Sequence, residues 1–284
     1  MAEVSVRRPS VAGAFYPSDP ERLKQTIEGC FTHELGPGRL PELKSSERQI
    51  VSVICPHAGY MYSGPVAAHS YYHLAAEPKP ESVIVIGPNH TGLGSPIAMM
   101  GNGAWETPLG RVEINAQLAD AIFKASDIID VDERAHSREH SIEVQLPFLQ
   151  FIYGAELSFV PISMGFQDLE TSRTVGKAVA KAMEGSDAIV VASTDLSHYE
   201  PQPIAREKDR LVIDSISALD EVALQDSVRK NRISMCGYGP VSATIVASKL
   251  LGASRAELLA YNTSGDITGD HHSVVGYAAA KVTR

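Results

Sequence analysis

The sequence predicts an α/β fold: one domain over residues 1–284, with a central, largely parallel or mixed sheet flanked by helices on both faces. Three observations carry that expectation. Runs of Val and Ile, in "VSVICPHAGY" from Val51, "SVIVIGPNHTG" from Ser82 and "DAIVVASTDLSHY" from Asp187, stop abruptly at Gly, Pro or polar residues, as strands buried on both faces do. Segments with helical spacing alternate with these runs, the signature of a substantially parallel sheet. No repeat, low-complexity tract or shift of composition divides the chain, so its length reads as one large domain rather than two small ones.

Taken in order, "PSDPERLKQTIEGCF" opens with Asp19 as N-cap and Pro20 at the first helical position, and sets Leu23, Ile27 and Phe31 on one face. The Gly-, Pro- and charge-rich "THELGPGRLPELKSSER" is a surface loop. After the first strand the spacing predicts helices over "GPVAAHSYYHLAA", "NAQLADAIFKAS", "SIEVQLPFLQFIYG", "ETSRTVGKAVAKAME", the long "IAREKDRLVIDSISALDEVALQDSVRK" and "GPVSATIVASKLLGA". Further strands are "ELSFVPISM", "RAELLAYNTSGD" and "HSVVGYAAAKVT".

A formal net charge of -9 repels phosphate backbones, which argues against nonspecific nucleic-acid binding. The N-terminus has no signal-like apolar core, and no run approaches the roughly 20 apolar residues of a membrane helix. The expected location is the cytoplasm, with no membrane partner. Cys30, Cys55 and Cys236 are scattered and odd in number, which is no disulfide framework. A cysteine with a role here acts as a thiolate.

Residues just past buried parallel strands gather at one sheet edge, where ligands bind in open α/β sheets. His57, His90, and Asp195 with His198 follow the three Val/Ile runs. Each histidine alone reads as an ordinary core or loop residue; three at one edge read as a metal or catalytic site. Cys236, in the turn before the helix from about Pro240, adds a thiol with helix amides nearby, or else a small buried hydrophobe. In "AHSREHSIEVQLPFL", His140 and Glu143 would share a helix face, and His136 lies four residues before His140, but the H-E-x-x-H order of a zincin is absent. A helix-capping cluster explains these residues equally well. His69 and His73 also sit four apart, without a third ligand, and read as a half-exposed helix face. Asp266, Asp270, His271 and His272 read as a solvated turn. Tyr60 and Trp105, in motifs beside the expected ligands, suit either an aromatic wall or the core.

The segments "RRPSVAGAFYP", "PHAGYMYSG", "GPNH", "WETPLG", "EHSIEVQLPFL", "STDLSHY" and "MCGYGP" together resemble the Memo family, from about residue 8 to the C-terminus. Memo proteins in turn resemble the class III (LigB-like) extradiol dioxygenases, which hold non-haem iron(II) with two histidines and a carboxylate. The resemblance implies that His57 and His90 match the histidine ligands and that Cys236 stands where the dioxygenases have glutamate. It implies that His198 matches their acid/base histidine, with Asp195 beside it, and that Glu139, His140 and Glu143 lie near the crevice. Thiolate in place of carboxylate shifts preference toward copper, zinc or a differently tuned iron, so catechol cleavage does not carry over.

Three functions are expected from these features. The first is a metal-dependent redox enzyme, with iron(II) as the leading cofactor and copper or zinc as alternatives, acting on an unidentified small-molecule or peptide substrate. The second is a binding module, since eukaryotic Memo relatives are regarded as engaging phosphorylated peptides; the acidic charge counts against it. The third is a zinc hydrolase. In microbial relatives the family is also associated with a radical-SAM protein partner.

Overall fold

The strand runs meet in register. In the computed structural model, which describes residues 5–284 except 43, 46 and 155, Ile54 stands opposite Ala192 and Ala192 opposite Ile86. The four N-terminal residues and two positions of the Gly/Pro-rich loop lie outside the described residues.

In chain order the elements are β1 (Val6–Arg7), α1 (Pro20–Thr32), β2 (Ile50–Cys55), α2 (Tyr60–Ala75), β3 (Ser82–Pro88), β4 (Ile97–Met99), β5 (Ala104–Thr107), β6 (Gly110–Ile114) and α3 (Ala116–Lys124). Then come β7 (Asp130–Val131), α4 (Leu146–Tyr153), β8 (Ser158–Met164), α5 (Leu169–Met183), β9 (Ala188–Ser193), β10 (His198–Glu200) and α6 (Gln202–Ser217). The chain finishes with α7 (Glu221–Asn231), α8 (Tyr238–Leu250), β11 (Arg255–Thr263), α9 (Ser264–Thr268) and β12 (Val274–Thr283).

The sheet runs β1-β5-β6-β8-β3-β9-β2-β12-β10, with β11 also on β12. Its middle, β8-β3-β9-β2, is parallel, and β12 closes it antiparallel to β2. The fold is therefore a single α/β domain with a mixed sheet. Every residue of β2 and β3 is buried, because helices cover both faces. Ser52 of β2 bonds Ser248 of α8 at 2.7 Å on one face, while Cys55 packs with Tyr60, Ala67 and Tyr71 of α2 on the other.

Two expected helices differ. The long pattern from Ile204 is broken, because Leu219 turns left-handed (φ 53) and Asp220 caps a new helix by accepting from the Val222 and Ala223 amides. Apolar periodicity continued across that break, so spacing alone did not reveal it. In "SIEVQLPFLQFIYG" only α4 is α-helical, preceded by a 3-10 turn over Glu143–Gln145.

That irregular approach is held by a buried ion pair. Arg7 Nη1 lies 2.7 Å from Glu143 Oε2, and its guanidinium also donates to the His136 and Glu139 carbonyls. Glu143 further accepts from the Ser10 and Val11 amides and the Tyr16 hydroxyl. Burial pushes its carboxyl up, and Arg7 and these donors more than reverse that, so it is lowered overall. The N-terminal segment is thus fastened to the loop behind the sheet edge. Arg7→Met should leave Glu143 charged and unpaired, at a cost of about 3–5 kcal/mol by urea unfolding. A loss below about 1 kcal/mol would mean that the pair behaves as a solvated one.

Candidate metal centre

Because β2, β3 and β9 end at one level, the residues that follow them converge. His57 Nε2 lies 3.3 Å from Cys236 Sγ, and ligand atoms of His57, His90 and Cys236 all lie within 4.8 Å of one another. A second group, His90, Glu139 and His140, meets the same limit and adjoins it. The rings of His57 and His90 sit edge to face at 5.3 Å, and His140 stacks on His90 at 4.7 Å. His57 is buried, while His90 and His140 face a cavity of about 720 Å³.

Hydrogen-bond inventory fixes which ring nitrogens are free. Gln145 Nε2 donates to the Pro56 carbonyl and to Ser193 Oγ. Ser193 gives its one hydroxyl proton to the Ser141 carbonyl at 2.6 Å. Ser193 Oγ can therefore only accept at 2.9 Å from His57 Nδ1–H, which leaves His57 Nε2 with its lone pair beside the thiol. His90 Nδ1–H donates to Glu139 Oε1 at 2.9 Å, so Nε2 is the ring nitrogen outside that bond. Metal-ligating histidines are typically oriented by such bonds.

Glu139 is fully buried yet accepts from the amides of His90, His140 and Ser141 as well as from the His90 ring. Burial alone would raise its carboxyl, but the bonds from His90 and Ser141 outweigh it and hold it at about 2. Burial, with the neighbouring His140 and His90 rings, pushes His57 well below the ordinary imidazole range, so it is neutral. Burial and the Asp195 carboxylate push the Cys236 thiol up. Two imidazoles and a thiol that sheds its proton to a cation form a donor set suited to a soft or borderline metal ion.

The helix amides expected to serve Cys236 are engaged elsewhere: Gly237 N–H donates to Thr194 Oγ1 and Gly239 N–H to Gln167 Oε1. The sulfur instead accepts from Asp195 N–H at 3.2 Å. Gly237 permits this, since a Cβ there would sit 2.5 Å from the Ser193 carbonyl oxygen.

Asp195 does not orient His198. Its Oδ1 accepts from the His57 amide at 2.8 Å, its Oδ2 lies 4.0 Å from His57 Nε2, and burial raises it to about 6. His198 is held by the Leu196 and Ser234 carbonyls, at 2.8 and 2.9 Å from Nδ1. Glu139 and His140 are at the crevice; Glu143 is turned away onto Arg7, so the expected shared face of His140 and Glu143 does not form. Of the two places open to Tyr60 and Trp105, an aromatic wall or the core, both take the core. Trp105 is fully buried between the Arg7 guanidinium (4.1 Å) and Phe159, and Tyr60 is buried against Phe148 with its hydroxyl donating to the Val144 carbonyl. The cavity's aromatic lining is Phe15, Tyr62, Tyr199 and Tyr277.

His69, half-buried on α2, bonds the Leu35 carbonyl, and His73 lies beside Lys281. Asp266 caps α9 and pairs with Arg206; of its turn, Asp270 alone among the expected acids and histidines lines the cavity. Cys30 and Cys55 are buried and held up as thiols by burial, at about 12. Sequence reasoning missed Ser193 and Gln145, whose roles appear only through proton counting.

Fold and site together define an α/β protein with a histidine–histidine–cysteine cluster at the carboxyl edge of its parallel strands. The family model described as Memo-like protein matches residues 7–281, and the chain belongs to the Memo family. A MEMO1 family protein of Methanopyrus kandleri is 54% identical over 96% of this chain and 97% of its own. The relative from Methanothermobacter thermautotrophicus is also 54% identical, over 96% and 99%. The uncharacterized protein JW3007 of Escherichia coli K12 superposes with a TM-score of 0.52 over 82% of this chain and 99% of its own, at 14% identity, a likeness of fold. Among the described residues no helix is long and apolar enough to cross a membrane.

His136 is not part of the cluster. It is fully buried behind the crevice, 5.5 Å from the Trp105 ring, with neither ring nitrogen bonded. Burial and then Arg7 lower it to about 3. Since the unfolded value is about 6.5, the neutral ring's stabilisation is complete above that pH and is lost as pH falls toward 3. His136→Leu should therefore flatten the acid limb of stability by up to about 1.4 kcal/mol per pH unit over that window, measured by urea unfolding. An unchanged limb would show that His136 titrates normally.

Proposed function

We propose that the protein is a metal-dependent redox enzyme. In this reading His57, His90 and Cys236 hold a non-haem metal ion, iron(II) first and copper or zinc as substitutes. The observation that carries it is the pair of imidazoles whose Nδ1–H groups are both spent on buried acceptors, which leaves the two Nε2 atoms to a group that includes one thiol. A bound iron(II) would supply redox chemistry and open positions for substrate and O₂.

The rest falls to the chain's own groups. His198 has Nδ1–H committed to two carbonyls, so Nε2 is the atom that takes a proton from substrate and returns it. Asp195 braces the His57 amide through Oδ1, and burial raises its carboxyl to about 6. Phe15 packs on His140 at 4.8 Å, which excludes water from that side of the cluster. A hydrolase reading draws on the same donors, but a thiol in the set favours a soft or redox metal over plain water activation.

Protein prepared without oxygen should contain iron, copper or zinc. His57→Ala, His90→Ala and Cys236→Ser should each lose it, while His69→Ala keeps it. Once turnover is found with any substrate, His198→Ala should retain metal yet slow turnover by about 10²-fold or more. Equal metal loss in His69→Ala, or wild-type rates in His198→Ala, would contradict this assignment.

A further inference from the structure

Of the buried acids, Glu143 meets Arg7, Glu221 meets Arg173 and Lys249, and Glu139 and Asp195 meet histidines of the crevice. Asp209 of α6 is fully buried and forms no ion pair among the described residues. Its Oδ1 accepts from the Ser197 amide at 2.9 Å and the Ser197 hydroxyl at 2.6 Å, and its Oδ2 accepts from the Tyr261 hydroxyl at 2.8 Å. Burying a carboxylate without a cation costs stability that an apolar side chain of similar size would spare. The use of Asp209 therefore lies in what it holds.

It holds the residue before His198. Leu196 N–H donates to the Gly276 carbonyl of β12 and Gly276 N–H to the Ser197 carbonyl, both at 2.9 Å, which stitches this turn to the sheet. Asp209 closes the other side of Ser197 by taking its amide and its hydroxyl. A Cβ on Gly276 would sit 1.9 Å from Asp209 Oδ2, and Gly276 is not at a positive φ, so glycine is needed there for the carboxylate and not for the backbone. The Leu196 carbonyl fixed in this way is one of the two acceptors of His198 Nδ1–H. Ser234 supplies the other, and its hydroxyl takes the His198 amide at 2.7 Å. Carbonyls cannot donate, so the pairing keeps the proton of the neutral ring on Nδ1.

We infer that Asp209 is a positioning residue for His198: through Ser197 it fixes the Leu196 carbonyl that keeps the His198 ring in its Nδ1–H form. The inference rests on reading His198 as the acid/base group of the crevice. Long-range proton–nitrogen NMR of the histidine-labelled, metal-free full chain at about pH 8, where a histidine of ordinary pKa is neutral, tests it, with His198→Ala assigning the signals. The wild-type His198 ring should show the Nδ1–H tautomer alone. Asp209→Ala, and Gly276→Ala by displacing the carboxylate, should each give mixed tautomers and speed exchange of the Ser197 amide by about tenfold or more. Asp209→Asn, whose amide oxygen still accepts both Ser197 protons, should keep the wild-type pattern. Glu221→Gln, which loosens a buried acid elsewhere, should lower stability and leave the His198 pattern unchanged. A single Nδ1–H tautomer in Gly276→Ala or Asp209→Ala, an Asp209→Asn pattern as mixed as theirs, or a mixed pattern in Glu221→Gln would each overturn the inference, and Gly276→Ala and Asp209→Asn decide it alone if Asp209→Ala does not fold. Once turnover is found, Asp209→Ala should slow it by about tenfold or more with metal content unchanged. Normal turnover in His198→Ala would remove the acid/base reading and leave the tautomer result standing, and an unmoved tautomer would do the reverse.

Discussion

The buried carboxylate of Glu139 is the constraint on which the crevice depends. A fully buried charge is tolerated only when it is saturated with donors, and Glu139 takes three backbone amides and one imidazole. Those donors belong to two chain segments, the turn after β3 and the loop before α4, so satisfying one carboxylate fixes both. The same bonds set the orientation of His90 and bring His140 onto its ring. Behind them Arg7 ties the Glu139 carbonyl and Glu143 to the N-terminal segment. Charge satisfaction in the loop is thereby converted into ligand geometry at the surface.

The opposite wall uses neutral groups for the same end. Tyr71 donates to Gln145, Gln145 to Ser193, and Ser193 to the Ser141 carbonyl, which determines the proton on His57. Asp195 contributes at both ends of its own residue, its amide to Cys236 and its carboxylate to the His57 amide. The hydrogen bonds of this wall therefore hold the His57 ring and the Cys236 sulfur in place.

Much of this was legible in the sequence because it is local. A Val/Ile run ended by Pro or Gly marks a strand, and parallel strands in register deliver their following residues to one edge, so His57, His90, His198 and Cys236 could be named from spacing and resemblance. Long-range pairings were not legible. Nothing in the neighbourhood of Glu143 announces Arg7, more than a hundred residues earlier, and nothing around Trp105 announces that the same arginine covers its ring. Tyr60 and Trp105 were plausible walls because core and cleft aromatics look alike in sequence.

The central claim is that one sulfur and two imidazoles share an ion. X-ray absorption at the edge of whichever metal the anaerobically purified protein carries tests it most directly. The account predicts one sulfur neighbour at about 2.3 Å, nitrogen or oxygen neighbours near 2.0–2.1 Å and the outer-shell pattern of imidazole rings, with the sulfur shell absent in Cys236→Ser. A first shell of nitrogen and oxygen alone in the wild-type protein would contradict it.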